Sequence, residues 1–251
     1  MSEADGAQLV TAGLVVIGDE VLSGRTKDKN IGHIAERLTE VGIDLREVRV
    51  VADVEDDIVA AVNALRHRFT YVFTTGGIGP THDDITADSI AKAFGVSIDV
   101  DPRARAMLLE YIAEKDLNEA RLRMARIPAG AALVVNEVSK APGFRIGNVI
   151  VMAGVPRIMQ AMLEAVLPEL DKGRPMLSEQ VLANAREGDI AAPLADIARR
   201  HPEVVIGSYP FRDEDGRFNT HLVVRARDPG VLAAVAGEVR AMVATAANGG
   251  G

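Results

Sequence analysis

Hydrophobic and polar positions repeat with two alternating periods from residue 8 to residue 95. A nearly continuous apolar run, "LVTAGLVVIGDE", predicts a strand that is buried on both faces, as strands of parallel sheets are. The next segment, "NIGHIAERLTEVG", has apolar residues at helical spacing and ends at a glycine. The alternation continues through "IDLREVRVV", "VEDDIVAAVNALRHRF", "YVFTTGG" and "TADSIAKAFG", the last with Thr86 as helix N-cap. This order predicts βαβ units around a mainly parallel sheet.

The rest of the chain predicts a second, differently ordered region. One helical stretch is expected from Arg103 to Ala125, then the strands "AALVVN" and "NVIVMAG", then an amphipathic helix with Pro156 in its first turn. The polar segment "DKGRP" is the predicted linker, and beyond it two strands joined by "DEDG" predict a hairpin. We therefore predict an α/β fold: a three-layer αβα domain with a mainly parallel sheet over residues 8–170, and a small α+β subdomain over residues 176–246.

Composition narrows the classes of function. With a net charge of −8, three Tyr, six Phe and no Trp, the chain is poorly suited to neutralise or stack on nucleic acid. It has no run of 18 apolar residues, so no membrane span is expected. Cysteine is absent and the segment "MSEADGAQ" is polar and unlike a secretory signal, which together favour a cytoplasmic protein. A small anionic ligand held by backbone amides stays compatible with this charge.

The loop "TTGGIGPTHDD" is the strongest candidate for such a ligand site. It follows a predicted parallel strand, and its glycines allow a ligand to approach the backbone N–H groups closely. The alternative is a glycine-rich turn that only reverses the chain. Of its two aspartates, one is expected to cap the following helix and the other to hold a cation such as Mg²⁺, because carboxylates repel an anion unless a cation lies between them. The predicted binding residues of this loop are Thr75, Gly76, Gly77, Gly79, Pro80 and Thr81.

Three further loops should reach the same edge of the sheet. The loop "GDEVLSGRTKDKN" contributes the candidates Gly18, Asp19, Glu20, Ser23, Gly24, Arg25 and Asn30. For Asp19 and Glu20, a solvated turn is an equally good interpretation. Asp53 follows the second strand, and its alternative role is to cap the next helix. Gly154 and Pro156 begin a helix whose free N–H groups could bind a second phosphate.

Together these motifs resemble a known family. The segments "GDEVLSGRTKDKN", "TTGGIGPTHDDIT" and "APGF…VIVMAGVPRIMQAM" are similar to the molybdopterin-binding (MoaB/Mog-like) domain, and most of all to its version in CinA-type competence/damage-inducible proteins and bifunctional FAD synthetases. The resemblance covers about Leu9 to Leu170, and the tail from Asp171 resembles the subdomain that follows in CinA proteins. The molybdopterin adenylyltransferases carry Thr where this loop has Ile78 and Arg where it has Asp83.

The resemblance implies chemistry on a diphosphate. CinA-type domains are associated with metal-dependent cleavage of ADP-ribose-like pyrophosphates and their relatives in FAD synthetases with FAD hydrolysis, whereas the deamidation of nicotinamide mononucleotide belongs to a further CinA domain and is not expected here. Asp84 and Asp53 match aspartates that serve the adenylyltransferases. We predict a metal-dependent nucleotide pyrophosphatase with Asp84, Asp53 and Asp83 as catalytic residues and with Mg²⁺ or a similar ion on Asp84, helped by Asp83 or Asp19.

Two other functions stay open at this point. One is molybdopterin adenylyl transfer in the same loop, and the other is a module that binds a nucleotide or pterin without turnover. In each case the partner is a small molecule rather than nucleic acid or membrane, and the family resemblance suggests a homo-oligomer, a dimer or trimer.

Overall fold

The computed structural model describes residues 9–248, and the side chains of residues 247 and 248 are not described. The residues "MSEADGAQ" therefore lie outside the described part of the chain. The chain divides into two compact units, one running to Gly173 and the other beginning at Arg174. The elements of the first unit are β1 (Val10–Ile17), α1 (Asp19–Leu22), α2 (Asn30–Glu40), β2 (Ile43–Val51), α3 (Glu55–Arg66), β3 (Tyr71–Thr75), α4 (Thr86–Phe94), β4 (Ile98–Val100), α5 (Pro102–Leu109), α6 (Glu119–Leu122), β5 (Arg126–Pro128), β6 (Ala132–Val134), β7 (Gly143–Ile146), β8 (Val149–Met152) and α7 (Pro156–Val166).

A six-stranded mixed sheet organises the first unit, with the order β2-β1-β3-β8-β7-β6. The pairs β1–β2, β1–β3 and β3–β8 are parallel, whereas β8–β7 and β7–β6 are antiparallel. The chain leaves β1 toward β2 on one side and returns to β3 on the other, so the direction of winding reverses between β1 and β3. In open α/β sheets a crevice forms at such a reversal, at the carboxyl ends of the strands.

Two hydrophobic clusters, one on each face of the sheet, make the unit three-layered. Leu14 and Val16 of β1 belong to the cluster that includes Ile34 and Leu38 of α2 and Met159 of α7. The intervening residues of β1 face the opposite cluster, which the helices α3, α4 and α5 complete. Because successive side chains of a strand point to opposite faces, a central strand between two helical layers must be apolar throughout. The predicted αβα fold with a mainly parallel sheet is confirmed.

The segment predicted as one helix from Arg103 to Ala125 is broken, and that prediction is wrong. It forms α5, a 3₁₀ turn at Glu114–Asp116, α6 and a second 3₁₀ turn at Arg123–Ala125. Asn118 starts α6 afresh, because its side-chain oxygen accepts the N–H of Arg121 at 3.0 Å. The pattern also missed β7, which extends the sheet in the antiparallel direction, and the small antiparallel pair of β4 and β5.

The second unit is an antiparallel sheet with two helices. Its elements are β9 (Leu177–Ala183), α8 (Glu187–Arg200), β10 (Val205–Arg212), β11 (Phe218–Ala226) and α9 (Pro229–Asn248), and the strand order is β10-β11-β9. Val181, Leu222 and Val224 of the sheet share a hydrophobic cluster with residues of α8 and α9. The predicted hairpin is present between β10 and β11.

Helix α9 is the one described helix that by length and composition could cross a bilayer. Its residues Leu232, Val235, Ala236 and Val239 are buried in the cluster of the second unit. Core helices of globular domains share this apolar composition. The packing of this face of α9 on the sheet explains why its residues are apolar.

Candidate functional site

The parallel strands end in register, which brings four loops to one edge of the sheet. Ile17 of β1 pairs with Val51 of β2, Val16 pairs with Thr75 of β3, and Thr75 pairs with Met152 of β8. Backbone hydrogen bonds extend the alignment beyond the strands: the N–H of Gly18 donates to Val51 at 3.1 Å, and that of Gly76 donates to Met152 at 3.1 Å. The loops that start at Gly18, Ala52, Gly76 and Ala153 therefore converge.

Between these loops lies a cavity of about 640 Å³, which we call the main cavity. Its lining includes eleven of the predicted site residues: Gly18, Glu20, Asp53, Gly76, Gly77, Gly79, Pro80, Asp83, Asp84, Gly154 and Pro156. Its volume falls within the range of about 300–1,000 Å³ that is typical of small-molecule sites. The position, at the reversal between β1 and β3, is the one that the topology favours.

Gly76 fixes the start of the glycine loop against β1. Its φ is 102°, a backbone conformation that L side chains rarely adopt. A Cβ at Gly76 would lie 2.1 Å from the carbonyl oxygen of Ile17, and a Cβ at Gly154 would lie 3.2 Å from the Cα of Gly76. The loops after β1, β3 and β8 thus touch through their backbones, with no room for a side chain at Gly76.

Gly77 has a structural role in addition to the one that the sequence suggested. With φ 67°, its carbonyl accepts the N–H of Thr86 at 2.9 Å, and a Cβ there would lie 2.1 Å from Thr86 Oγ1. The Thr86 hydroxyl donates to the Gly76 carbonyl at 2.9 Å. The prediction that Thr86 is the N-cap of α4 is wrong: Thr86 is the first residue of the helix, and Ile85 holds the N-cap position without a side-chain hydrogen bond. The hydroxyl joins the glycine loop to the helix.

Asp84 closes the glycine loop on itself. Its Oδ2 accepts the backbone N–H of Thr81 at 2.7 Å and the Thr81 hydroxyl at 2.5 Å. A Cβ at Gly79 would lie 2.6 Å from this Oδ2, so the glycine leaves space for the carboxylate. The expectation that Asp83 or Asp84 caps α4 is wrong: α4 has no side-chain cap, and the hydrogen bonds of the Asp84 side chain go to Thr81.

Asp53 is held between the first and second loops. Its Oδ2 accepts the N–H of Asp19 at 2.9 Å. It does not cap α3, whose N-cap position is Val54 without a side-chain hydrogen bond. Burial raises the pKa of Asp53, the hydrogen bond from Asp19 N–H opposes this, and the nearby negative charges of Asp19, Glu20 and Asp83 add to the increase in pKa. Negative charge is therefore concentrated on this side of the main cavity.

The remaining predicted residues lie around the main cavity. Asn30 and Thr75 line an adjoining side cavity of about 250 Å³, together with Glu20, Gly154 and Pro156. Asp19, Ser23 and Arg25 line an outer groove with Glu20 and Leu22. Gly24 and Thr81 line none of these three spaces, and Thr81 acts on Asp84 instead.

Four residues in the segment from Arg103 to Ala125 belong to the site region and were missed by sequence reasoning. Arg123 donates from Nη2 to the carbonyl of Asp84 at 3.2 Å, and its Nε is buried without a partner. Tyr111 is 70% exposed and lines the main cavity, with Ile112 and Met124 beside it. All four belong to the segment that was predicted as one plain helix. Arg123 reaches Asp84 across 39 residues of sequence, and local periodicity contains no signal for such a contact.

Within residues 9–248, no group of three or more His, Asp or Glu side chains could hold a metal ion by itself. Mg²⁺ is usually held by one or two protein carboxylates together with phosphate oxygens and water. The acidic lining by Asp53, Asp83 and Asp84 fits a cation that arrives with a phosphate ligand. The described residues do not form a closed cage of protein ligands around a metal ion.

The variant Asp53→Asn removes the negative charge of Asp53 but can keep its hydrogen bond. Asp53→Asn keeps an acceptor for Asp19 N–H, and we expect a higher Tm for the ligand-free protein near neutral pH. A carboxyl whose pKa is raised on folding contributes stability in acid that is lost as the pH rises through the folded pKa. The difference in Tm between the variant and the unmodified protein should therefore become smaller as the pH falls through the Asp53 pKa. Thermal unfolding without divalent ions checks this, and equal Tm values at neutral pH would contradict it.

Comparison with known proteins identifies both parts of the chain. Residues 13–172 match the model of the "Probable molybdopterin binding domain". The chain belongs to this molybdopterin-binding domain family. Residues 175–248 match the "FAD synthase, middle domain". The molybdopterin-binding domain thus carries the main cavity, and the second unit corresponds to the FAD synthase middle domain.

Relatives of this molybdopterin-binding-domain protein support the assignment. A protein from Pyrobaculum calidifontis is 36% identical over 211 residues, which is 80% of each chain. One from Archaeoglobus fulgidus is 33% identical over 198 residues, 78% of this chain and 84% of that one. The crystal structure of "the protein CinA with unknown function" from Thermoplasma acidophilum is 36% identical, with a TM-score of 0.60, and covers 63% of this chain and 96% of that chain. The resemblance to CinA-type proteins is confirmed.

Proposed function

We propose that the first unit binds a nucleotide or dinucleotide by its diphosphate and hydrolyses that diphosphate with a divalent cation. The observation that carries the proposal is the convergence of the glycine loop with Asp53, Asp83 and Asp84 in one cavity at the reversal of the sheet. The two families matched by the chain also favour a small nucleotide or pterin as ligand. Three features of the main cavity give the proposal its chemistry.

The first feature is a backbone surface suited to phosphate. Gly76 and Gly77 have positive φ, and the N–H of Gly76 already donates to Met152, so the N–H groups that would face a phosphate are those of Gly77 and the residues that follow it in the loop. Helix α7 begins at Pro156, which also lines the cavity, and the free N–H groups of a helix start attract anions. A diphosphate bound here would meet N–H donors from the glycine loop and from the start of α7.

The second feature is the acidic side of the cavity. Carboxylates of Asp53, Asp83 and Asp84 would repel a diphosphate in the absence of a cation. A divalent ion, when bound there, would neutralise the diphosphate and lower the pKa of a water molecule. We assign Asp84 and Asp83 to hold it, with Asp19 as a further candidate.

Asp53 is the candidate base, because its raised pKa brings it nearer to the pH at which a base works well. Water oxygen forms a bond to one phosphorus, the bridging P–O bond breaks, and the proton passes to the Asp53 carboxylate.

The third feature is a set of apolar lining residues that suit a planar ring. Tyr111, Ile112, Met124, Ile158 and Met162 also line the cavity. Aromatic and sulfur-containing side chains bind the faces of heterocycles well. The exposed Tyr111 in this lining suits a nucleobase, an isoalloxazine or a pterin.

The proposal predicts cleavage of ADP-ribose or FAD to AMP in the presence of Mg²⁺ or Mn²⁺. Pure protein is incubated with each compound and the products are separated by chromatography. EDTA should stop the reaction, and Asp53→Asn should slow it by at least about a hundredfold if Asp53 takes the proton. No AMP from either compound with either ion would overturn the pyrophosphatase function.

Molybdopterin adenylyl transfer is the second candidate, since the matched family is described as molybdopterin-binding. It would consume ATP and molybdopterin and release pyrophosphate, and the same protein can be tested for that product. Binding of these ligands without any turnover would instead indicate a non-catalytic module. The cytoplasmic location and the homo-oligomer stay predictions.

A further inference from the structure

Strand β2 forms an open edge of the six-stranded sheet. It pairs with β1 on one side, and no described strand pairs with its other side. It has nine residues, whereas β6 at the opposite edge has three. Proline and bulges are two devices that stop such an edge from pairing. β2 contains no proline, and its one register shift falls at Arg46. The segment from Glu47 to Val51, which we call the β2 edge, is therefore regular.

The backbone of the β2 edge directs hydrogen-bonding groups outward at Val48 and Val50. The carbonyl of Val51 accepts the N–H of Gly18 at 3.1 Å, so Val51 turns its backbone groups toward β1. This direction alternates along a strand, and Arg49 therefore also faces β1. Val48 and Val50 present their N–H and C=O groups to the open side, where a further strand can bind them.

The two faces of the β2 edge differ in polarity. Val48 and Val50 are each 36% exposed, although their partners in β1 belong to the buried cluster on the α2 face. The other face carries Glu47 and Arg49, whose side chains form an ion pair at 2.8 Å. Arg68 donates to the second oxygen of Glu47 at 2.6 Å. An apolar stripe thus lies on one face, and one acid and one base lie two residues apart on the other.

This pattern is complementary to itself when two copies of the edge run antiparallel. Outward residues must pair with outward residues, so a two-fold axis passes through a residue of the strand. An axis at Glu47 or at Arg49 sets like charges directly opposite each other, which is destabilising. An axis nearer the end of the strand at Val51 pairs too few residues. An axis at Val48 sets Val48 opposite its own copy and sets Glu47 opposite Arg49 of the second copy, twice over.

We propose that the β2 edge binds a second copy of this chain, with Val48 on the two-fold axis and the two six-stranded sheets joined into one. The outward backbone groups of Val48 bond to those of its copy, and Val50 lies diagonal to this pair on the apolar face. Each Glu47 gains the Arg49 of the second copy in addition to its own. A surface that pairs with itself closes at two copies, so the assembly is a dimer and not a trimer. The proposal does not depend on the chemistry of the main cavity.

Light scattering over a dilution series at low ionic strength tests the surface. The unmodified protein should have twice the chain mass of 26.7 kDa and should approach the mass of one chain on dilution. Val48→Lys sets two positive charges opposite each other on the axis and should raise the dimer Kd at least about tenfold. The control Val205→Lys makes the same change at a 46% exposed valine of β10 and should leave the Kd within about twofold. A monomer at every concentration, a trimer, or a dimer that Val48→Lys does not weaken would overturn the proposal.

Charge reversal tests the register. Glu47→Arg sets two basic side chains opposite each other, and Arg49→Glu sets two acidic ones opposite each other, so each variant alone should dimerise about tenfold more weakly. An equal mixture of the two variants should form a heterodimer as tight as the unmodified dimer, because every pair across the axis then joins opposite charges. A fusion tag on one variant identifies the heterodimer by mass, and circular dichroism shows that each variant is folded. A mixture of folded variants that stays monomeric would refute the pairing of Glu47 with Arg49.

Discussion

Asp84→Asn should lower cation-dependent turnover by at least about a hundredfold while the protein stays folded. Both hydrogen bonds that the structure gives to the Asp84 side chain go to Oδ2, from Thr81 N–H and Oγ1. An asparagine can turn its single oxygen to Thr81 and keep the loop closed. Its NH₂ group then stands where the second carboxylate oxygen was, and an amide nitrogen does not bind Mg²⁺. Binding of the ligand without a cation should change little or tighten, because one negative charge is removed.

The control is Asp215→Asn, which removes the same charge from an exposed position in the β10–β11 turn of the second unit. Its turnover should equal that of the unmodified protein. Steady-state rates of AMP release with Mg²⁺ and circular dichroism of each variant give the two readouts. A folded Asp84→Asn protein with the unmodified rate would refute the assignment of the cation to Asp84.

Gly76→Ala should destabilise the first unit by about 3 kcal/mol or more. An alanine there must either adopt φ 102° or shift the loop, and its Cβ would meet the Ile17 carbonyl at 2.1 Å, which is backbone of a central strand and unable to move aside. Gly32→Ala is the control, because Gly32 lies inside α2 and a Cβ there meets nothing within 4 Å. That variant should gain about 0.5–1 kcal/mol from the lower backbone entropy of the unfolded chain. Urea unfolding measures both, and a Gly76→Ala protein as stable as the unmodified one would show that the loop adjusts freely.

The sequence predicted the parts of the fold that depend on local periodicity. The unbroken apolar run of β1 indicated a strand covered on both faces, and Leu14 and Val15 do face different clusters. The convergence of the four loops at one edge of the sheet followed from the rule that parallel strands end on one side. The break of the helix after α5 was missed because residues Met107 to Met124 contain no Gly or Pro, and the one local signal for a new helix start is Asn118.

The sequence predicted which residues belong to the site, but it did not predict which of them contact one another. The glycine loop was chosen for the room that it offers a phosphate, yet Gly77 is also required by Thr86 and Gly79 by Asp84. A single sequence does not show whether a threonine hydroxyl caps its own helix or bonds a carbonyl ten residues earlier, as Thr86 does. The roles of these residues depend on side chains that meet only after the chain has folded.

The closure of the glycine loop by Asp84 and Thr86 has a thermodynamic consequence. The hydrogen bonds of these two residues order the segment from Gly76 to Asp84 as the protein folds, before any ligand arrives. Immobilising a backbone residue costs about 1–2 kcal/mol in conformational entropy, and here that loss falls on folding and not on association. A preorganised loop leaves more of the interaction energy for affinity. It also limits the ligands to those that fit one fixed backbone shape.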